Sequence, residues 1–174
     1  MEKIVIIING SGGVGKDTLC DFAAKHFRVK TISSITPIKG IARKGFGWTG
    51  QKDSKSRKLL ADLKELAVNY NDLPYLYLCE EYDRFLNSEA QILFVHIREG
   101  EEIDKFKNQV KGMCYTLLIT RRVNENVRWG NASDDDVQKY SYDLIYENNK
   151  SVEESEQDFC DFLRKNIEKV MYVQ

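Results

Sequence analysis

Nine consecutive residues near the start of the chain carry the strongest chemical signal. Gly10-Ser11-Gly12-Gly13-Val14-Gly15-Lys16-Asp17-Thr18 follows an apolar, β-branched run and precedes an apolar stripe with helical spacing, the two flanks that a phosphate loop needs. Glycines without Cβ clashes let backbone amides turn inward as an anion nest. The helix N-terminus adds partial positive charge, and the Lys16 ammonium reaches the β and γ phosphates of a nucleotide. A bare glycine-rich turn would need neither the lysine nor both flanks. Gly10 to Thr18 are therefore the candidate nucleotide-binding residues, and Lys16 is also a candidate catalytic group.

Asp17 stands where such loops usually carry a serine or threonine hydroxyl for Mg²⁺. A carboxylate at that position can bind the metal directly or through water, or can orient the acceptor group. It can equally be an acid favoured by the helix dipole, worth a fraction of a kcal/mol. Three further groups of side chains fit a phosphate-rich ligand. Arg121 and Arg122 follow an apolar strand and are candidates for transition-state stabilisation, while Arg98 follows another and is a candidate clamp for an acceptor phosphate. Lys39 could join that clamp or be a solvated helix charge. Trp48, in a Gly-containing loop, is a candidate to stack on a base. His96, alone at a strand end, reads more readily as a hydrogen-bonded structural residue than as a catalyst.

The elements that must position these groups are legible in the apolar spacing. Ile4 to Ile8 is a continuous apolar run of the kind expected in a central parallel strand. Val29–Ser33, Gln91–Arg98, Tyr115–Thr120 and Tyr142–Tyr146 read as further strands. Helices are expected after the loop (Leu19, Phe22, Ala23 and Phe27 on one face), over Pro37–Phe46, and over Ser54–Tyr70 with Leu59, Leu63, Leu66, Ala67 and Tyr70 on one face. Another starts at Asp72, with its side chain as cap and Pro74 in the first turn. A short one follows with Ile103, Phe106 and Val110, and a last one covers about Ser151–Val170. Residues 121 to 140 lack either period and read as a lid or an excursion. Strands alternating with helices predict one α/β domain over residues 1–174, with a mainly parallel sheet and ligands beyond the strands' carboxyl ends.

Composition narrows the partners. Of 174 residues, 42% are apolar and 30% charged, which excludes a disordered or collagen-like chain. No apolar run approaches the roughly 20 residues of a membrane span. Four cysteines without a CxxC pair, and no signal-like segment, predict a reduced, cytoplasmic chain. The near-zero net charge hides segregation: residues 25–64 hold eleven Lys or Arg against Asp53 and Asp62, whereas residues 132–161 hold ten acids against Lys139 and Lys150. Aromatics are not interleaved with the basic block, so small phosphates are expected as partners rather than nucleic acid. The Asp134-Asp135-Asp136 run reads as a solvated loop rather than a metal site.

Several blocks together resemble the deoxynucleoside monophosphate kinases of the P-loop kinase superfamily, with animal-type phosphomevalonate kinases as more distant look-alikes. Gly15-Lys16-Asp17-Thr18 resembles that family's Gly-Lys-Asp-Thr loop, and Pro37-Ile38-Lys39-Gly40-Ile41-Ala42 its Pro-Leu-Lys-x-x-Ala segment. Arg57-Lys58-Leu59-Leu60 resembles an Arg-containing helix start that faces the acceptor. His96-Ile97-Arg98 with Glu101 or Glu102 is similar to an Asp-Val-Arg-x-x-x-Glu block, and Tyr142-Asp143 through Asn148 to a Tyr-Asp-x-x-Ile-x-Asn ending.

The resemblance implies a P-loop NTPase fold: three α/β/α layers, a five-stranded parallel sheet in the order 2-3-1-4-5, and a lid over about residues 121–140 with Arg121, Arg122 and Arg128. It also implies ATP in the loop, with Mg²⁺ for Asp17 to hold; Asn148 and Asn149 read either as neighbours of the adenine or as turn residues between a strand and a helix. On the acceptor side it implies a monophosphate held by Arg57 and Arg98. The expected activity is phosphoryl transfer from ATP to a (deoxy)nucleoside monophosphate by a monomer or homodimer. His96 departs from the family's aspartate. Two alternatives stay open: a kinase for another small phosphorylated or hydroxylated metabolite, and a nucleotide-binding module with little transfer activity.

Overall fold

The computed structural model describes residues 3–122 and 137–167. Five strands form one parallel sheet: β1 (Ile4–Asn9), β2 (Val29–Ser33), β3 (Ile92–His96), β4 (Met113–Thr120) and β5 (Leu144–Glu147). Their order across the sheet is β2-β3-β1-β4-β5, as the resemblance implied. The helices are α1 (Lys16–His26), α2 (Thr36–Phe46), α3 (Ser54–Asn71), α4 (Leu73–Leu86), α5 (Gly100–Gln109) and α6 (Val152–Asn166). A 3₁₀ turn, Val137–Lys139, precedes β5.

Strand β1 is apolar throughout because both of its faces are covered. Its even residues Ile4, Ile6 and Ile8 pack with Leu19, Phe22 and Ala23 of α1 and with Phe159 and Leu163 of α6. Its odd residues Val5 and Ile7 pack with Leu78, Tyr82 and Phe85 of α4 and with Ile103 and Phe106 of α5. Each such buried aliphatic side chain contributes about 1.5–3 kcal/mol. The aromatic ring of Phe159 sits edge-on to Tyr146 at 5.0 Å and near Phe94, joining α6 to the sheet. Helix α6 opens on a capping box between Ser151 and Glu154, which satisfies two otherwise unpaired amides.

Register matters for function because it aligns the strand ends. Ile8 of β1 is level with His96 of β3, and Ser33 of β2 is level with His96 from the other side. Asn9 is level with Leu118 of β4, and Thr120 with Glu147 of β5. The carboxyl ends of all five strands thus open on one edge.

Two expectations are corrected, and the apolar face of helix α3 is only partly covered. Leu59, Leu63 and Ala67 of this helix are half-buried. Ser56 is its buried residue, and Leu66 and Tyr70 are 66% and 85% exposed, because α3 packs on α2 and α4 rather than on the sheet. Asp72 does not cap α4 with its side chain. It joins α3 directly to α4 in the left-handed conformation, φ 54°, so its carboxylate turns away and pairs with Lys105. The last helix ends at Asn166 rather than Val170, with Ile167 as its final turn's cap.

The deep seat of Phe159 between α6 and the sheet makes it a sensitive probe. Phe159→Ala is expected to cost about 3–5 kcal/mol, read as a lower denaturant midpoint at unchanged m-value.

Candidate functional site

The turn after β1 is held open by close packing. Gly10 has φ 148°, and a Cβ there would lie 2.4 Å from the carbonyl oxygen of Ile119. Gly15 has φ 92°, and its Cβ would lie 2.7 Å from Nδ2 of Asn148. Both positions exclude side chains on conformation and on space. Gly15 also occupies the N-cap of α1 and offers no side-chain cap, so the first amides of α1 face the loop as an anion site. The Lys16 ammonium curls over the loop and donates to the carbonyl oxygens of Gly10 and Ser11, the latter at 2.9 Å. Val14 buries its side chain in the core, so what it can offer a ligand is backbone. Thr18 is exposed in the first turn of α1.

Three residues outside the motif support this turn. Asn9 accepts from the Gly10 amide with Oδ1 at 2.8 Å, and its Nδ2 donates to the Arg98 carbonyl at 2.9 Å and to the Tyr142 hydroxyl at 2.8 Å. Gly10 therefore shapes the turn while its amide is already used. The Tyr142 hydroxyl in turn donates a hydrogen bond to the carbonyl of Val137. Asn148 donates from Nδ2 to the Val14 carbonyl at 2.8 Å, and its Oδ1 accepts from Ser155 at 3.2 Å. A polar residue ending a wholly apolar strand was the available sequence signal for Asn9. The Tyr-Asp…Asn ending proves to be a brace: Asp143 accepts from the amide and hydroxyl of Thr116 at 2.8 Å, splicing β5 to β4.

The other candidates lie around the same edge. Asp17 projects from the first turn of α1 with its side chain 95% exposed, and its Oδ1 is 3.9 Å from Nε2 of His96, whose side chain is 13% exposed. The same Nε2 is 3.7 Å from the Cys20 sulfur. Burial pushes the His96 pKa down to about 4; Asp17 opposes the shift, while Lys16, Lys39 and Arg98 reinforce it. The imidazole is therefore neutral at physiological pH. The charges of Lys16, Lys39 and Arg98, from three separate segments, thus bear on the end of β3. Burial holds the Cys20 thiol protonated, which makes it a packing group rather than a nucleophile.

Arg121 follows β4 directly and lines a small cavity with Ser11, Val14 and Val137. Arg122 donates its amide to Oδ1 of Asn149 at 2.9 Å, while its guanidinium points outward towards Glu147, 3.9 Å away. Asn149 also donates to Glu147. Trp48 donates its indole N–H to the Gln51 carbonyl, and Arg43 lies 5.4 Å over its ring. Arg57 is exposed in the first turn of α3, which Asp53 caps by accepting from the Ser56 amide at 2.7 Å. Arg128, Asp134, Asp135, Asp136 and most of the expected lid lie outside the described residues.

An ion cluster ties α3 to the segment after Arg98. Lys64 bridges Glu99 at 2.6 Å and Glu102 at 2.9 Å. Burial would raise both carboxyls. At Glu99 the charge and hydrogen bond of Lys64 outweigh it and the pKa falls. At Glu102 burial wins, with the Glu99 charge adding, and the pKa rises to about 7.

No family model matches the chain, and no curated protein matches it in sequence. Solved structures match in fold. One is a sugar kinase from Janibacter sp. HTCC2649, unliganded, at 12% identity and TM-score 0.53, with 98% of this chain and 98% of that one covered. Another is a gluconokinase from Sinorhizobium meliloti 1021, also at 12% identity and TM-score 0.53, with 98% of this chain and 96% of that one covered. The fold is that of the P-loop kinases; likeness at this identity reaches no further. Among the described residues no helix is long and apolar enough to cross a membrane.

Two measurements test these contacts. Gly10→Ala is expected to destabilise the chain by about 1–3 kcal/mol through strain and the clash with Ile119. Gly40→Ala, in open space within α2, should stabilise it by up to about 1 kcal/mol. Between the ordinary Glu value of 4.5 and about 7, the folded chain keeps a proton on Glu102 that the unfolded chain has lost. The contribution of Glu102 to stability therefore falls as pH rises through that window. Urea unfolding across it should show Glu102→Gln gaining on the parent as pH rises.

Proposed function

We propose that this chain transfers the γ-phosphoryl group of ATP to the phosphate of a (deoxy)nucleoside monophosphate, forming the diphosphate. The observation that carries this reading is a phosphate loop whose Gly10 and Gly15 admit no side chain, with the Lys16 ammonium over it and the charges of Lys39 and Arg98 bearing on His96 at the end of β3. One anion nest with one ammonium suits a donor. Two further cations whose charges bear on His96 suit a second phosphate.

Such a transfer asks the protein mainly to align two phosphates, exclude water and neutralise charge on the moving group. The amides opening α1 and Lys16 grip the donor, the ammonium giving up its present carbonyl partners to phosphate oxygens. Arg121, beside Ser11 at the end of β4, is placed to stabilise the transferring group, with Arg122 next in sequence. Arg98 and Lys39 hold the acceptor phosphate, and Arg57 reaches it from α3. Trp48 is the candidate to stack on the acceptor base, and Asn149 to border the adenine. Because a phosphate acceptor is already anionic, no strong base is needed.

A divalent cation bound with the nucleotide would supply charge neutralisation on its phosphate oxygens. The exposed carboxylate of Asp17, at the rim of the loop, has the hard oxygen donors that Mg²⁺ requires. A second reading, transfer to the hydroxyl of a small metabolite, draws on that same carboxylate as a base for the hydroxyl proton. The fold neighbours whose names specify a sugar kinase and a gluconokinase agree with it.

Assays of ATP consumption against the common ribo- and deoxyribonucleoside monophosphates separate the two readings. Transfer to at least one monophosphate is expected, and transfer only to hydroxylated metabolites would overturn the first reading. Lys16→Ala should abolish transfer while the unfolding midpoint stays within about 1 kcal/mol of the parent. Arg57→Ala should raise the acceptor KM more than the ATP KM, and an unchanged acceptor KM would return Arg57 to the solvated surface.

A further inference from the structure

We propose that His96 is a nitrogen ligand to the divalent cation that accompanies the nucleotide, so that the site favours a first-row transition ion such as Mn²⁺ over Mg²⁺. The inference rests on the ATP-binding reading above and deepens it. Nε2 of His96 and Oδ1 of Asp17 lie 3.9 Å apart at the mouth of the phosphate loop, His96 at the end of β3 and Asp17 one residue after Lys16. Two ligands adjacent around an octahedral ion, each at about 2.1 Å, are about 3 Å apart. The gap therefore closes with a small movement, and the nearly fully exposed Asp17 side chain is free to make it. His96 is the more constrained partner, since its side chain is only 13% exposed and its strand is paired on both sides.

The alternative use of the imidazole is weaker. Its neighbour at Nε2 besides Asp17 is the Cys20 sulfur at 3.7 Å, and a thiol is a poor hydrogen-bond partner. An imidazole nitrogen suits transition ions, whereas Mg²⁺ strongly prefers oxygen. Among the described residues no three His, Cys, Asp or Glu side chains group to hold a metal. Two protein ligands bind an ion tightly only when phosphate oxygens complete the shell, so Mn²⁺ binding should require the nucleotide.

The test is electron spin-echo spectroscopy of Mn²⁺ bound to the full chain, labelled with ¹⁵N-histidine, in the presence of the methylene analogue of ATP. The expected result is ¹⁵N modulation from one directly bound imidazole, with Mn²⁺ affinity at least tenfold lower when the analogue is omitted. The chain has two histidines, and His26 pairs with Glu156 at the other end of α1, so modulation should survive His26→Gln. It should vanish in His96→Asp, which restores an oxygen ligand and should shift the Mn²⁺-to-Mg²⁺ affinity ratio towards Mg²⁺ by about tenfold. Binding of Mn²⁺ with the analogue but without ¹⁵N modulation would overturn this inference and leave the ATP site standing. Failure of the chain to bind the analogue with either ion would overturn the ATP site itself, and the inference with it.

Discussion

The site depends on how closely the turn leaving β1 approaches its neighbours. Gly10 lies against the carbonyl of Ile119, and Gly15 against the side chain of Asn148, at distances that leave no volume for a methyl group. The approach is possible because β1 runs between β3 and β4 with hydrogen bonds on both sides, so its end has a fixed height and direction. Burial of five consecutive branched residues holds it there. The amides at the start of α1 then inherit their position from the sheet rather than from the loop's own preferences, and a rigid anion site follows from packing.

Charge is distributed in space differently from its distribution along the chain. Among the described residues, part of the acidic C-terminal stretch pairs away from the strand ends. Glu156 of α6 pairs with Lys25 and His26 at the far end of α1, and Asp158 pairs with Lys150. The charges of Lys39 and Arg98 bear on His96 at the end of β3. The cation-bearing helices α2 and α3 pack on each other and on α4, outside the layers that cover the sheet. Arg57 is thereby placed on a helix that is anchored through side chains such as Lys64 rather than through a broad apolar face.

Periodicity made the sheet and most helices legible. A β-branched run reports burial on both faces whatever covers them, and the spacing of Leu19, Phe22 and Ala23 reports one covered face. The same logic reached less far for α3. Its leucine spacing put five residues on one face, but Leu66 and Tyr70 of that face stay exposed. At Asp72 residue type suggested a cap, whereas the direct junction of two helices demanded a left-handed residue and sent the carboxylate to Lys105. In each case the local signal was real and a tertiary constraint outranked it.

The candidate site divides along the same line. The phosphate loop, its lysine and the unusual acid after it were readable because their chemistry depends on neighbours within nine residues. The brace of Asn9 on the Arg98 carbonyl spans 89 residues, and that of Asn148 on the Val14 carbonyl spans 134. Nor does any local pattern place His96 beside Asp17 or Lys64 between Glu99 and Glu102. Sequence alone determined which segments bury apolar surface and which turn can bind an anion, since both follow from short-range spacing and residue chemistry. Which side chains meet at that turn was decided by strand order and register, because a parallel sheet brings to one edge residues that the chain itself keeps far apart.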